Sequence, residues 1–158
     1  METMKKTDIT RADNYMEISF PAKSENEGLA RMLVASFLAD FNPSMEEMGD
    51  VKIAVSEAVT NAVIHGYEGN AENGEEIHMI CARKEDDLYL VIEDAGKGME
   101  DIRQAMEPLY TTRPDLERSG MGFSFMEAFM DRLEVESEPE KGTKVLMQKR
   151  IQGAKQQN

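Results

Sequence analysis

A chain of 158 residues, 41% hydrophobic and 31% charged, holds one domain with a sizeable core and leaves no room for two ordinary ones. Lys plus Arg is 18 against 31 Asp plus Glu, and the formal charge of −13 gives a surface that repels nucleic-acid backbones and anionic membranes and favours basic protein partners. No apolar run approaches a membrane span and no segment reads as a secretory signal; the single Cys81 and two histidines exclude an internal disulfide, argue against a dedicated zinc site and fit a reducing cytoplasm.

Residues 1–14 are polar, lack an apolar centre and are expected to form a loose extension. "YMEISF" alternates apolar and polar residues, which predicts a strand from Tyr15 to Phe20. A helix follows, with Ser24 as the expected N-cap and Glu27 placed to close a capping box. Ser44 and Glu47 repeat that signal and launch a second helix, which runs through "SEAVTNAVIHGY" and is stopped by Gly66. Two strands around a Glu-Asp-Asp turn end at Asp94, and a short helix is expected near Asp101 to Met106. "PLYTTRPDLERSGMG" reads as a long mobile connection, and loops of that length in compact domains are functional or disordered. "MGFSFMEAFMD" has the pattern of an amphipathic helix, and a strand pair closes the domain before a tail, 151–158, expected to fray. The fold expected over 15–150 is therefore an α/β two-layer sandwich, with helices over one mixed, mainly antiparallel sheet.

Three short stretches carry chemistry. Glu57, Asn61 and His65 recur every fourth residue in an otherwise apolar helix, which stacks them on one stripe. A buried carboxylate and amide need partners, because burying them unpaired is costly. Asn61 offers a hard oxygen to a metal and Glu57, one turn away, a general base; Mg²⁺ on a nucleotide needs few protein ligands because phosphates and water supply the rest. Asp94-Ala95-Gly96-Lys97-Gly98 leaves an apolar strand. Taken alone it reads first as a turn, and second as a carboxylate accepting from an exocyclic amine beside glycines that admit a flat ring. Gly120-Met121-Gly122 opens a helix after Arg113 and Arg118, either as a flexible junction or as a phosphate seat.

In this order, "EAVTNAVIH" resembles the N box, "DAGKG" the first glycine box and "GMG" the second glycine box of the GHKL ATPase/kinase superfamily. "SENEGLAR", "VSEAVTNAVIHGY", "PLYTTRPDLERSGMGF" and "MEAFMD" narrow the resemblance to the sporulation anti-sigma F factors of endospore-forming bacteria, over roughly residues 15 to 150. The resemblance implies a Bergerat-type sandwich that works as a cytoplasmic homodimer with ATP or ADP and Mg²⁺. It also implies ATP-dependent inhibition of sigma F and serine phosphorylation of an anti-anti-sigma factor. Matched residue by residue, Asn61 would hold Mg²⁺, Glu57 would be the base, and Asp94 would read adenine with Gly96, Gly98 and Thr143. A lid from Thr111 to Gly122, with Thr112, Arg118, Ser119 and Gly120, would close on the phosphates. Arg31, Glu117 and Arg118 match positions that the family uses against protein partners. Ala95 stands where relatives often have an acidic residue and Arg113 where they often have Lys, which keeps the charge but changes its geometry. Other readings stay open: an anti-sigma kinase of a general-stress sigma factor, the catalytic domain of a sensor histidine kinase, or a module for which ATP is only a structural ligand. The last of these needs Asn61 but no base at Glu57.

Overall fold

Alternating apolar residues build five strands, β1 (Asn14–Pro21), β2 (Glu76–Lys84), β3 (Asp87–Asp94), β4 (Arg132–Glu138) and β5 (Gly142–Arg150), in a computed structural model that describes residues 11–67, 75–107 and 122–153. They form one open sheet in the order β1-β2-β3-β5-β4. Every described pairing is antiparallel, a more uniform sheet than the mixed one expected from the sequence. The reason is that β4 runs in the direction of β3 but β5 lies between them, so no two strands of like direction touch.

Among the described residues there are four α-helices, α1 (Asn26–Ala39), α2 (Met45–Asn61), the single turn α3 (Ile102–Ala105) and α4 (Gly122–Phe129). α2 packs against both α1 and α4. The core lies between helices and sheet, with Val34 and Leu38 of α1, Val55 and Val59 of α2 and Met126 of α4 meeting alternate strand residues such as Met79, Leu90 and Met147. The opposite face of the sheet carries a smaller apolar cluster, Ile80, Val91 and Leu146. This is the two-layer α/β sandwich that the sequence predicts.

The two helix starts behave differently. Ser44 Oγ accepts from Glu47 N at 3.1 Å while Ser44 N donates to Glu47 Oε1 at 2.9 Å, so the expected capping box forms. Ser24 does not cap α1. Glu25 occupies the N-cap in a right-handed helical conformation without a side-chain hydrogen bond, because the chain enters α1 through a turn in which Ser24 O accepts from Glu27 N at 3.2 Å. Glu27 pairs instead with Arg31 at 3.2 Å. At the other end of the chain, Ile151 is buried and the N–H groups of Gln152 and Gly153 donate to Glu47 at 2.6 and 3.0 Å. These three residues are anchored where fraying was expected, and Asn14, assigned to the N-terminal extension, belongs to β1.

Candidate functional site

α2 delivers Glu57, partly buried, and Asn61, buried, to the end of the sandwich nearest α4. Gly122 opens α4 directly against the Asn61 amide: a Cβ there would stand 2.9 Å from Nδ2 and 3.0 Å from Oδ1. The end of α2 and Gly122, the described residue of the second glycine box, therefore meet. Beyond Asn61 the helix continues as a π turn, Ala62–Gly66, with Tyr67 N donating to Ala62 O at 3.2 Å. π turns are rare and frequent at functional sites. Here the wide turn brings Gly66 onto the Asp94 loop: Lys97 N donates to Gly66 O at 3.0 Å, and a Cβ on Gly66 would lie 2.6 Å from Asp94 Oδ1.

Asp94 ends β3 and is buried. Burial pushes its carboxyl up to about 6, while hydrogen bonds from the backbone of Gly96 and Thr143 pull the other way. The Gly96 bond is 3.0 Å, and Thr143 faces Asp94 across the β3–β5 ladder. At neutral pH this carboxyl is mostly ionised and accepts hydrogen bonds at the floor of a loop that approaches its neighbours closely. A Cβ on Gly96 would run into the Gly66 carbonyl, and Gly98 has a φ of +69° with its Cα side against the Glu138 carbonyl, so only glycine fits there.

The β4–β5 turn grips the other flank of the same loop. Ser137 Oγ accepts from Met99 N at 2.8 Å and donates to Gly142 O at 3.1 Å, and the Thr143 hydroxyl lies 2.8 Å from it. Glu140 N donates to Lys97 O at 2.6 Å. On the helix side, Tyr67 Oη accepts from Ala95 N at 2.8 Å and donates to Glu76 O at 2.9 Å. Burial raises the Tyr67 phenol above its ordinary value and the nearby Asp94 carboxylate adds to this, so the hydroxyl keeps its proton. Tyr67 and Ser137 are absent from the sequence-based site. The one signal for Tyr67 in the sequence is a ring bearing a hydroxyl directly after the glycine that ends the helix, and Ser137 has none.

Among the described residues, no group of three or more His, Cys, Asp or Glu gathers to hold a metal by itself. The donors present, a neutral amide oxygen with a carboxylate one turn away, fit Mg²⁺ held jointly with phosphates and water, which is how that ion is held on nucleotides. Thr111, Thr112, Arg113, Glu117, Arg118, Ser119 and Gly120 lie outside the described residues. Arg31 stands apart from the loop on α1, the helix that also exposes Leu29 and Met32.

The family model of the histidine kinase-like ATPase domain matches residues 20–149. The anti-sigma F factor of Clostridium acetobutylicum is 58% identical over 140 residues, covering 88% of this chain and 95% of the relative. That of Clostridium perfringens is 52% identical over 139 residues, covering 88% and 98%. The chain belongs to the anti-sigma F factor family. Among solved structures, the RsbU and RsbW domains of a Mycobacterium tuberculosis protein align with a TM-score of 0.59 at 18% identity, covering 87% of this chain and 32% of that one. The catalytic domain of histidine kinase ThkA aligns at 0.50 with 14% identity, covering 87% and 97%. At these identities the two structures speak for the fold alone. In this anti-sigma F family member the ATPase-type fold brings Gly122 against Asn61 and packs Gly66, at the end of the same helical run, backbone to backbone on Gly96 and Lys97 of the Asp94 loop.

Proposed function

We propose that the chain is an ATP-dependent protein serine kinase and anti-sigma factor: a cytoplasmic homodimer that binds and inhibits sigma F and phosphorylates its anti-anti-sigma factor. One arrangement carries the reading. A buried, ionisable Asp94 sits beside glycines that press on the end of the helix bearing Glu57 and Asn61. In this reading Asp94 accepts from the exocyclic amine of adenine, with Gly96, Gly98 and Thr143 shaping the slot. Asn61 gives its amide oxygen to Mg²⁺. Thr111, Thr112, Arg118, Ser119, Gly120 and Gly122 seat the phosphates, and Arg31, Glu117 and Arg118 meet the protein partners. ATP supplies the transferred phosphoryl group, with Mg²⁺ neutralising its charge. Glu57 takes the proton of the attacking serine hydroxyl as the oxygen–phosphorus bond forms and the bond to ADP breaks. The names of the relatives support the sigma F assignment.

Two variants test the assignment. Asn61→Ala is expected to abolish Mg·ATP binding with an unchanged circular dichroism spectrum, because the lost amide leaves no buried charge behind. Unaltered affinity would remove Asn61 from the metal role. Glu57→Ala is expected to slow phosphorylation by about 10²–10⁴-fold while ATP binding and sigma factor binding persist. A full phosphorylation rate in that variant would favour a module in which ATP only gates binding.

A further inference from the structure

The peptide unit between Asp94 and Ala95 is held from two sides. Its carbonyl lies so close to Gly142 that a Cβ there would run into it, and its N–H donates to Tyr67 Oη at 2.8 Å. The Tyr67 hydroxyl has one proton, which it gives to Glu76 O at 2.9 Å, so its lone pairs face Ala95 and its torsion is set. The ring is buried at the end of the π turn, with 8% of its surface exposed, among the residues of the core. Tyr67 thus joins three elements at one oxygen: the end of the helix carrying Asn61, the first residue of β2, and the loop that follows Asp94. A fixed peptide at Asp94–Ala95 fixes the backbone from which the Asp94 carboxylate projects.

We propose that Tyr67 is a positioning residue for base recognition: through the Ala95 amide its hydroxyl aims the Asp94 carboxylate, and so sets how strongly the site prefers a purine with an amine at C6 over one with a carbonyl. This rests on Asp94 as the adenine-reading group. A staple that merely joined β2 to β3 would weaken every ligand alike when removed. A positioning group changes the ratio between ligands.

The test is Tyr67→Phe in the full chain, which keeps the ring and deletes the hydroxyl. Calorimetric titration with ADP and with IDP gives the ratio of affinities, and this ratio is independent of the folded fraction because both ligands bind the same folded population. ADP affinity is expected to fall about fivefold with IDP affinity unchanged, so the ratio falls about fivefold, as for the loss of one hydrogen bond of ordinary strength. An unaltered ratio, whatever happens to the melting temperature, overturns the proposal. Asp94→Asn separates the two layers of the argument. If it collapses the discrimination while Tyr67→Phe does not, only the role of Tyr67 fails; if it leaves the discrimination intact, the adenine reading of Asp94 fails and takes the proposal with it.

Discussion

In the proposed reading, Asp94 sets recognition against stability. Moving its carboxyl from 3.8 to about 6 by burial costs the ionised form at most roughly 3 kcal/mol, yet that form is the better acceptor for an amine. Between those two values the folded state holds a proton that the unfolded chain has released, so the contribution of Asp94 to stability falls as pH rises through the window and remains lost at neutral pH. Asp94→Asn is therefore expected to be more stable than wild type at pH 7, by up to about 3 kcal/mol, with the gain vanishing towards pH 4. Urea unfolding at both pH values checks this, and a gain of equal size at both would mean that Asp94 is not the titrating group. ADP binding by wild type is expected to weaken as pH falls through about 6, where the carboxylate is lost. Asn61 was legible in the sequence because an amide inside an apolar helix calls for a partner, whereas the Asp94 turn, an ordinary acidic-glycine exit from a strand, was legible only through the family resemblance. Tyr67 and Ser137 were not, because a tyrosine and a serine are ordinary in almost any setting. Their work depends on hydrogen bonds to residues 9, 28 and 38 positions away.

The start of α2 and the end of the described chain form one hydrogen-bonded unit around Glu47. Its carboxylate accepts from Ser44, Gln152 and Gly153, and although burial alone would raise its pKa, these bonds outweigh it and hold it below the usual glutamate value. A lowered folded value means stability that is present above the ordinary glutamate range and lost as pH falls through and below it. Glu47→Ala is expected to cost about 2 kcal/mol, combining a lost capping box with backbone donors left to find water. Glu47→Gln should cost less, since its amide oxygen still accepts. Denaturant midpoints measure both, and an Ala variant as stable as wild type would show that water satisfies those donors equally well. The sequence carries the same Ser-x-x-Glu signal at Ser24 and at Ser44, and only the second one caps. Local sequence offers the cap, but the conformation of the preceding turn decides whether it is used. The strands were legible from their alternation. The insertion of β5 between β3 and β4 was not, because pairing partners leave no periodic trace, and the π turn was hidden because it is shaped by Gly66 docking on a loop some thirty residues later.

α2 lies between α1 and α4, with the residues assigned to the nucleotide towards α4 and the residue assigned to protein partners on α1. Arg31 pairs with Glu27 at 3.2 Å, and its side chain is 41% exposed. A surface pair of this kind contributes about 0.3–0.5 kcal/mol, so losing it should scarcely change the melting temperature. The same helix also exposes Leu29 and Met32, three residues apart, and a partner laid over α1 would desolvate this apolar surface together with the arginine. Under those conditions an arginine contributes about 2 kcal/mol or more, and Arg31→Ala is expected to weaken partner binding roughly thirtyfold with ATP affinity unchanged. Titrating sigma F and the anti-anti-sigma factor separately, each with ATP present, reads the two affinities. Wild-type values for both would mean that the partner surface lies elsewhere. A loss for both would mean that the two proteins compete for one surface next to α2, the helix assigned to the nucleotide, which lets one partner displace the other. With a formal charge of −13 on the chain, association with a basic partner should also slow as salt rises. Arg31→Ala should leave that salt dependence in place, because it removes a local contact and not the field of the whole molecule.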